Sequence, residues 1–290
     1  MTEVALSGLV TGWCTAVERL LTRAGRLRRV RVWAVVALVE HPELGLVVVD
    51  TGYAPRVRGA SRRWPYRLYR LATPMTAPPA LSLATHVAAR GEPVAAVVLT
   101  HLHADHVAGL ADFPDARVLA PRRAWPERRR RGLAAVRRAI LPDLLPPELD
   151  ARAELVEPCE GAVDCGALGR GLDLFGDGSL VAVDLPGHAR GQAGVLVRDR
   201  WLGPALVAAD ALWDTRALRP GGEPSRWTRG VAHDAAAQAE TLERVRAWQR
   251  QTGGAVLPAH DLAAWRAWGD RHRALARGDA DPGLAARFRA

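Results

Sequence analysis

Apolar residues come along this chain in short runs, and their spacing predicts an alternation of strands and helices. Val30 to Val39 and Leu46 to Asp50 read as strands, with His41-Pro42-Glu43-Leu44-Gly45 as the turn of a hairpin between them. Val94 to Leu99 predicts a buried strand, and Arg117 to Leu119 another. Leu180 to Val183, Ala193 to Val197, Ala205 to Ala208 and Val256-Leu257 complete the strand pattern. Leu81 to Arg90 reads as a short helix stopped by Gly91 and Pro93, and residues 122 to 141 as a very basic helical stretch. Asp234 is an N-cap for a helix with the stripe Ala235, Ala239, Leu242, Val245 and Trp248, ending at Gly253-Gly254. Leu262 to Ala276 is the last helix, and Trp265 and Trp268, three apart on it, read as packing residues.

Residues 54 to 80 are irregular and rich in Pro, Arg and aromatic residues, and Trp64, Tyr66 and Tyr69 within them suggest a lid. With no repeat and no long linker, the expectation is a single domain over residues 1–290 with a lid segment at 54–80. No apolar run reaches the roughly 18 residues of a membrane span. The start, MTEVALSGLVTGW, has an acidic residue and no basic n-region, so it does not read as a signal peptide. The three cysteines, Cys14, Cys159 and Cys165, form no CxxC pair, which fits a reducing cytoplasm and excludes a thiolate zinc site.

A net charge of +9 invites a nucleic-acid reading, but all 40 basic residues are arginine, and lysine and asparagine are both absent. With heavy Ala, Gly and Pro usage, that looks like the codon bias of a GC-rich genome. The run Glu127-Arg128-Arg129-Arg130-Arg131 then reads as a solvated face, and no specific nucleic-acid partner is expected.

The chemistry concentrates in THLHADHVAGL, residues 100 to 110, where three of the nine histidines and an aspartate follow a buried strand. In an extended segment alternate side chains share a side, so His101 and His103 reach one point. Asp105 and His106 follow where strand gives way to loop and reach a second. Imidazole and carboxylate together suit zinc, and also iron or manganese. Two cations need further ligands, and strand ends offer His188 in LPGHARG, Asp210 in VAADALW and His260 in VLPAHD.

These residues resemble the metallo-β-lactamase-fold hydrolases in VVVDTG (47 to 52), HxHxDH (101 to 106), the PGH ending at His188, and the Asp210 and His260 segments, in that family's order. The resemblance implies a four-layer αββα sandwich with two divalent metal ions at one edge, zinc foremost. It implies His101, His103 and His188 around one ion, Asp105, His106 and His260 around the other, and Asp210 between them. Asp50 would hold a ligand by hydrogen bond. Within the superfamily, VVLTHLHADHVAGL, a Gln after PGH and the closing His260-Asp261 are similar to the acyl-homoserine lactone lactonases. Those carry a tyrosine three residues after the bridging aspartate, where this chain has Trp213 in the expected substrate pocket.

The implied function is a dinuclear hydrolase in which a hydroxide bridging the metals attacks the carbonyl of a small-molecule lactone, ester or thioester. Asp105 would pass a proton to the leaving group. Two other readings stay open: a phosphodiesterase or RNA-processing nuclease on the same fold, and a non-hydrolytic binding or redox member. The intact HxHxDH disfavours the redox case. With indole in place of phenol, weak activity on long acyl-homoserine lactones and better turnover of small lactones or activated esters are expected.

Overall fold

A computed structural model describes residues 2–276; residues 277–290, part of the expected domain, lie outside the described residues. The first sheet holds seven strands: β1 (Ala5–Val17), β2 (Arg29–His41), β3 (Gly45–Val49), β4 (Met75–Thr76), β5 (Val94–Val98), β6 (Arg117–Pro121) and β7 (Ala153–Val156). Their order in space is β4-β1-β2-β3-β5-β6-β7. The second sheet holds β8 (Val163–Asp164), β9 (Arg170–Asp173), β10 (Leu180–Asp184), β11 (Ala193–Asp199), β12 (Gly203–Ala209) and β13 (Ala255–Pro258), ordered β13-β12-β11-β10-β9-β8.

The near-continuous apolar runs are explained by burial on both faces. In β2, Val35, Ala37 and Val39 join Val47, Val49 and Val98 against Leu180, Ala182, Val195 and Val197 of the opposite sheet. The alternate residues Ala34, Val36 and Leu38 lie in a separate outer core with Val48, Val97 and Leu83 of the helix Leu83–Arg90. The second sheet turns Val181, Val183, Leu206 and Ala208 outward, under Leu242, Val245 and Trp248 of the helix Ala235–Thr252. Two sheets face each other and helices cover each outer face, which is the αββα sandwich the family resemblance implies.

The hairpin forms as expected, and His41 staples its turn. Its Nδ1 accepts the Glu43 and Leu44 backbone N–H groups, while Nε2 lies 2.8 Å from Asp177 Oδ2. Asp234 caps its helix by accepting from the Ala236 and Ala237 N–H groups, and Gly253 ends that helix in the left-handed conformation. Trp265 and Trp268 pack as expected, their indole N–H groups donating to Pro258 O and Leu6 O.

Three features were not expected from the sequence. The 122–141 stretch is not one helix. It forms a 3-10 turn (Trp125–Arg129) and a short helix (Gly132–Val136), because Pro126 lacks an N–H and Arg130 and Arg131 are extended. Part of its charge is spent within the chain, Arg128 on Asp150 and Arg130 on Glu127. Second, within 54–80 Trp64 points to solvent, 61% exposed with Arg67 over its ring, whereas Tyr69 is buried. Third, the long strand β1 is unforeseen, since Gly8 and Gly12 break up its apolar signal.

Candidate metal centre

The site is built from strand ends at one edge of the sandwich. Beyond β3, Asp50 adopts a left-handed backbone conformation (φ 62°), and its carboxylate turns toward the loop that follows β5. There it accepts the Thr100 N–H (2.8 Å), the Thr100 hydroxyl (2.7 Å) and the His106 Nδ1–H (2.7 Å). With its own proton on Asp50, the Thr100 hydroxyl accepts from His101 Nδ1, 3.0 Å away. His260, beyond β13, donates Nδ1–H to Trp33 O at 2.6 Å. Each of these three imidazoles gives Nδ1–H to the protein, which fixes the tautomer and frees Nε2 as a base.

The free edges converge. His101, His103, His188 and Asp210 place one donor atom each within 4.8 Å of one another, and Asp105, His106 and His260 do the same. Asp210 touches both groups: Oδ2 lies 3.2 Å from His188 Nε2 and 3.1 Å from His260 Nε2, while Oδ1 lies 3.3 Å from His106 Nε2. Asp105 Oδ2 is 3.6 Å from His260 Nε2. All seven residues singled out as ligands therefore meet in one place, along with Asp50 and Trp213.

Two local devices position His188 and Asp210. Gly187 has φ 129°, and a Cβ there would stand 2.2 Å from the Gln238 backbone nitrogen, so only glycine lets the His188 loop close on the helix Ala235–Thr252. Ala209 sits at φ 47°, a conformation costing a non-glycine residue about 1 kcal/mol, and it turns the chain as β12 ends and Asp210 begins.

The donor set fits a cation. His101 Nε2, His106 Nε2 and Asp210 Oδ1 are buried and have no hydrogen-bond partner among the described residues, a costly state for polar atoms. The electrostatics agree. Burial, then the neighbouring His106 and His103, hold His101 well below the usual imidazole value; burial and His188 do the same to His103. Burial also opposes charge on His106 and His260, but the adjacent carboxylates outweigh it. Asp50 and Asp210 raise His106 well above the usual value, and Asp210 lifts His260 to about 9. Although burial works against the Asp210 carboxylate, His260, His106 and His188 hold it well below the ordinary range. Five imidazoles and two carboxylates are a set for two divalent ions. A third group, Glu157, Cys159 and Asp184, is already served by a cation: Arg123 lies 2.9 Å from Glu157 and 3.1 Å from Cys159.

A cavity of about 480 Å³ opens above the donors, with His103, Asp105, His188, Asp210, Trp213 and His260 at its base. Leu68, Tyr69, Ala72 and Thr73 of the 54–80 segment form part of its wall; Trp64 and Tyr66 do not. Trp213 has a different bond from the one its tyrosine counterpart suggests, because its indole N–H donates to Asp210 Oδ2 at 3.1 Å. Thr100 is the residue that sequence reasoning missed, and a hydroxyl directly before the first histidine was its only signal. The Trp33 carbonyl had none.

The family model for the metallo-beta-lactamase superfamily matches residues 32–247, which contain every singled-out residue but His260. The N-acyl homoserine lactonase AttM of Azorhizobium caulinodans is 28% identical over 180 residues, 58% of this chain and 59% of that protein. The probable metallo-hydrolase Rv2300c of Mycobacterium tuberculosis is 32% identical over 192 residues, 61% of this chain and 56% of that protein. The chain thus spans under two thirds of the length of these relatives. Among solved structures, an N-acyl homoserine lactone hydrolase with the product N-hexanoyl-L-homoserine at its catalytic metal centre shares the fold with TM-score 0.72 and 16% identity, covering 92% of this chain and 97% of that one. The dizinc quorum-quenching lactonase AidC shares it with TM-score 0.61 and 14% identity, over 90% of this chain and 89% of that one. On the span of the family match, this chain belongs to the metallo-beta-lactamase superfamily.

Proposed function

We propose that the protein is a metal-dependent hydrolase of a small-molecule lactone, ester or thioester, with two divalent ions as its cofactors. The observation that carries this reading is the convergence of seven imidazole and carboxylate donors, some of them buried without a hydrogen bond, at the base of a largely apolar cavity. His101, His103 and His188 would hold one ion, Asp105, His106 and His260 the other, and Asp210 both. Zinc is the first choice for such donors, with iron and manganese as alternatives. When bound, the ions supply Lewis acidity and lower the pKa of water from about 15.7 toward 7.

The chain's own residues do the rest. Asp50 and Thr100 orient His106 and His101 before any ligand arrives, so little reorganisation is left for the reaction. Asp105, partly open to the cavity, would accept a proton from the attacking water and return it to the leaving oxygen or sulfur, a role supported by its lining of the cavity. Trp213 closes one side with an apolar ring, and its N–H is engaged by Asp210 instead of facing a substrate oxygen. Lactones come first as substrates, because the relatives named above include N-acyl homoserine lactonases. Small lactones and activated esters suit the indole wall better than long acyl chains. The three free cysteines suit a reducing cytoplasm as the compartment.

The test is a panel of chromogenic esters, thioesters, lactones and phosphodiesters with protein of known metal content. Hydrolysis of the carbonyl compounds, lost on chelation and in Asp210→Asn, is the expected result. Turnover confined to phosphodiesters would move the protein to the nuclease-like branch of the fold.

A further inference from the structure

Resting on that hydrolase reading, we propose that the cavity carries an oxyanion subsite made by Arg137, Arg138 and Arg190. The substrate would then be a lactone or ester bearing a carboxylate or phosphate group away from the scissile bond. All three arginines line the cavity that the metal-type donors floor. Their backbones are tied to the donor segments. The carbonyl of Ala139, next to Arg138, accepts the N–H of Ala104, between His103 and Asp105, at 3.0 Å. Ala139 reaches this position through a left-handed conformation, φ 51°. Arg190 follows His188 by two residues, and the His233 N–H donates to His188 O at 3.0 Å. Arg138, Arg190 and His233 line the same cavity as Arg137.

These arginines have positive charge to spare. The buried acid near Arg190, Glu127, is held by Arg130 through two hydrogen bonds of 2.6 and 2.9 Å, with Arg190 farther off at 3.7 Å. Arg137 and Arg138 make no side-chain hydrogen bond or ion pair among the described residues. The neighbouring wall is apolar, with Val136, Ile140 and Val231. Arg137 and Arg190 are exposed and Arg138 is half-buried, so the attraction rests on three positive charges at one cavity and on a planar fork that matches a carboxylate or phosphate. Arg123, Arg128 and Arg130 of the same stretch are paired with acids, whereas Arg137 and Arg138 line the cavity, which favours a charged group there.

Two esters of similar length test this, 4-nitrophenyl hemiglutarate and 4-nitrophenyl valerate, which differ in a terminal carboxylate. The metal-loaded protein should favour the anionic ester in kcat/KM. The preference should fall about tenfold in the double variant Arg137→Gln/Arg138→Gln, mainly through KM, as expected for a lost charge-assisted hydrogen bond. Arg137→Lys/Arg138→Lys should keep most of it. Calorimetric titration with glutarate and, separately, inorganic phosphate reads the subsite without turnover. The Gln variant should weaken whichever binds, and the tighter of the two names the preferred oxyanion. Unchanged ester preference and unchanged anion binding in the Gln variant would overturn the subsite and leave the hydrolase reading standing. If neither these esters nor any carbonyl compound of the panel above is hydrolysed but anion binding still drops, the subsite stands and the hydrolase reading falls.

Discussion

Asp50 shows how much of this site rests on one residue that need not touch a metal. Its left-handed backbone is, among residues other than glycine, tolerated best by Asp and Asn, and its two oxygens take three donors from Thr100 and His106. Asp50→Asn keeps the backbone but turns an acceptor oxygen into an NH2 group facing other donors. Metal affinity, measured by competition with a chromophoric chelator, should fall about 10- to 100-fold; a change under about twofold would show that His106 is oriented by something else. Trp213 is the second such residue. Its N–H on Asp210 Oδ2 makes it a positioning residue as well as a wall of the cavity. Trp213→Phe keeps the ring and removes the donor, so metal retention should weaken by about tenfold in the same competition assay, while Trp213→Tyr, whose hydroxyl offers a donor elsewhere, should not restore it fully.

At the scale of elements, β1 carries two features that tie the fold together. Gly8 faces Trp265 so closely that a Cβ would lie 2.5 Å from the indole ring, and the ring is fixed by its bond to Pro258 O. Gly8→Ala should therefore cost about 1–3 kcal/mol, read as a lower urea midpoint; no shift would mean that the last helix yields. Just beyond β1, Glu18 takes Arg28 at 2.7 Å and Arg216 at 3.3 Å, linking the strand to the turn Thr215–Leu218. The Arg28 hydrogen bond, foremost, lowers the Glu18 carboxyl from 4.5 to about 2. Because the folded value lies below the unfolded one, the stabilisation is whole above about 4.5 and is lost as pH falls toward 2. Both arginines are more than half exposed, so screening limits the effect to about 1 kcal/mol. Glu18→Gln should show that deficit in urea unfolding at pH 7 and a smaller one at pH 3; a deficit independent of pH would assign it to packing. Neither feature was legible in the sequence. Gly8 and Gly12 hide the strand because backbone fit against Trp265 and Thr76, not side-chain propensity, sets those positions. The 122–141 stretch misled for the converse reason: helix-forming composition was overridden by Pro126 and by ion pairs to Asp150 and Glu127.

For the whole molecule, the strand pattern was legible because both faces of β2, β3 and β5 are buried, which leaves continuous apolar runs ending at ligand-type residues. The donor cluster was legible because HxHxDH crowds polar side chains where the sandwich edge needs none. Three of its supports come from backbone atoms or small hydroxyls (the Trp33 carbonyl, the Thr100 hydroxyl and the Gly187 approach), which carry no composition signal. If the proposed function holds, hydrolysis follows occupancy of this one site. The direct measurement is titration of chelator-treated protein with zinc while turnover of a chromogenic lactone or ester is followed. No turnover is expected at the start, then a rise that levels off at about two equivalents per chain, the number that seven donors of this kind hold. Full turnover before any metal is added, or none with two equivalents bound, would contradict that reading.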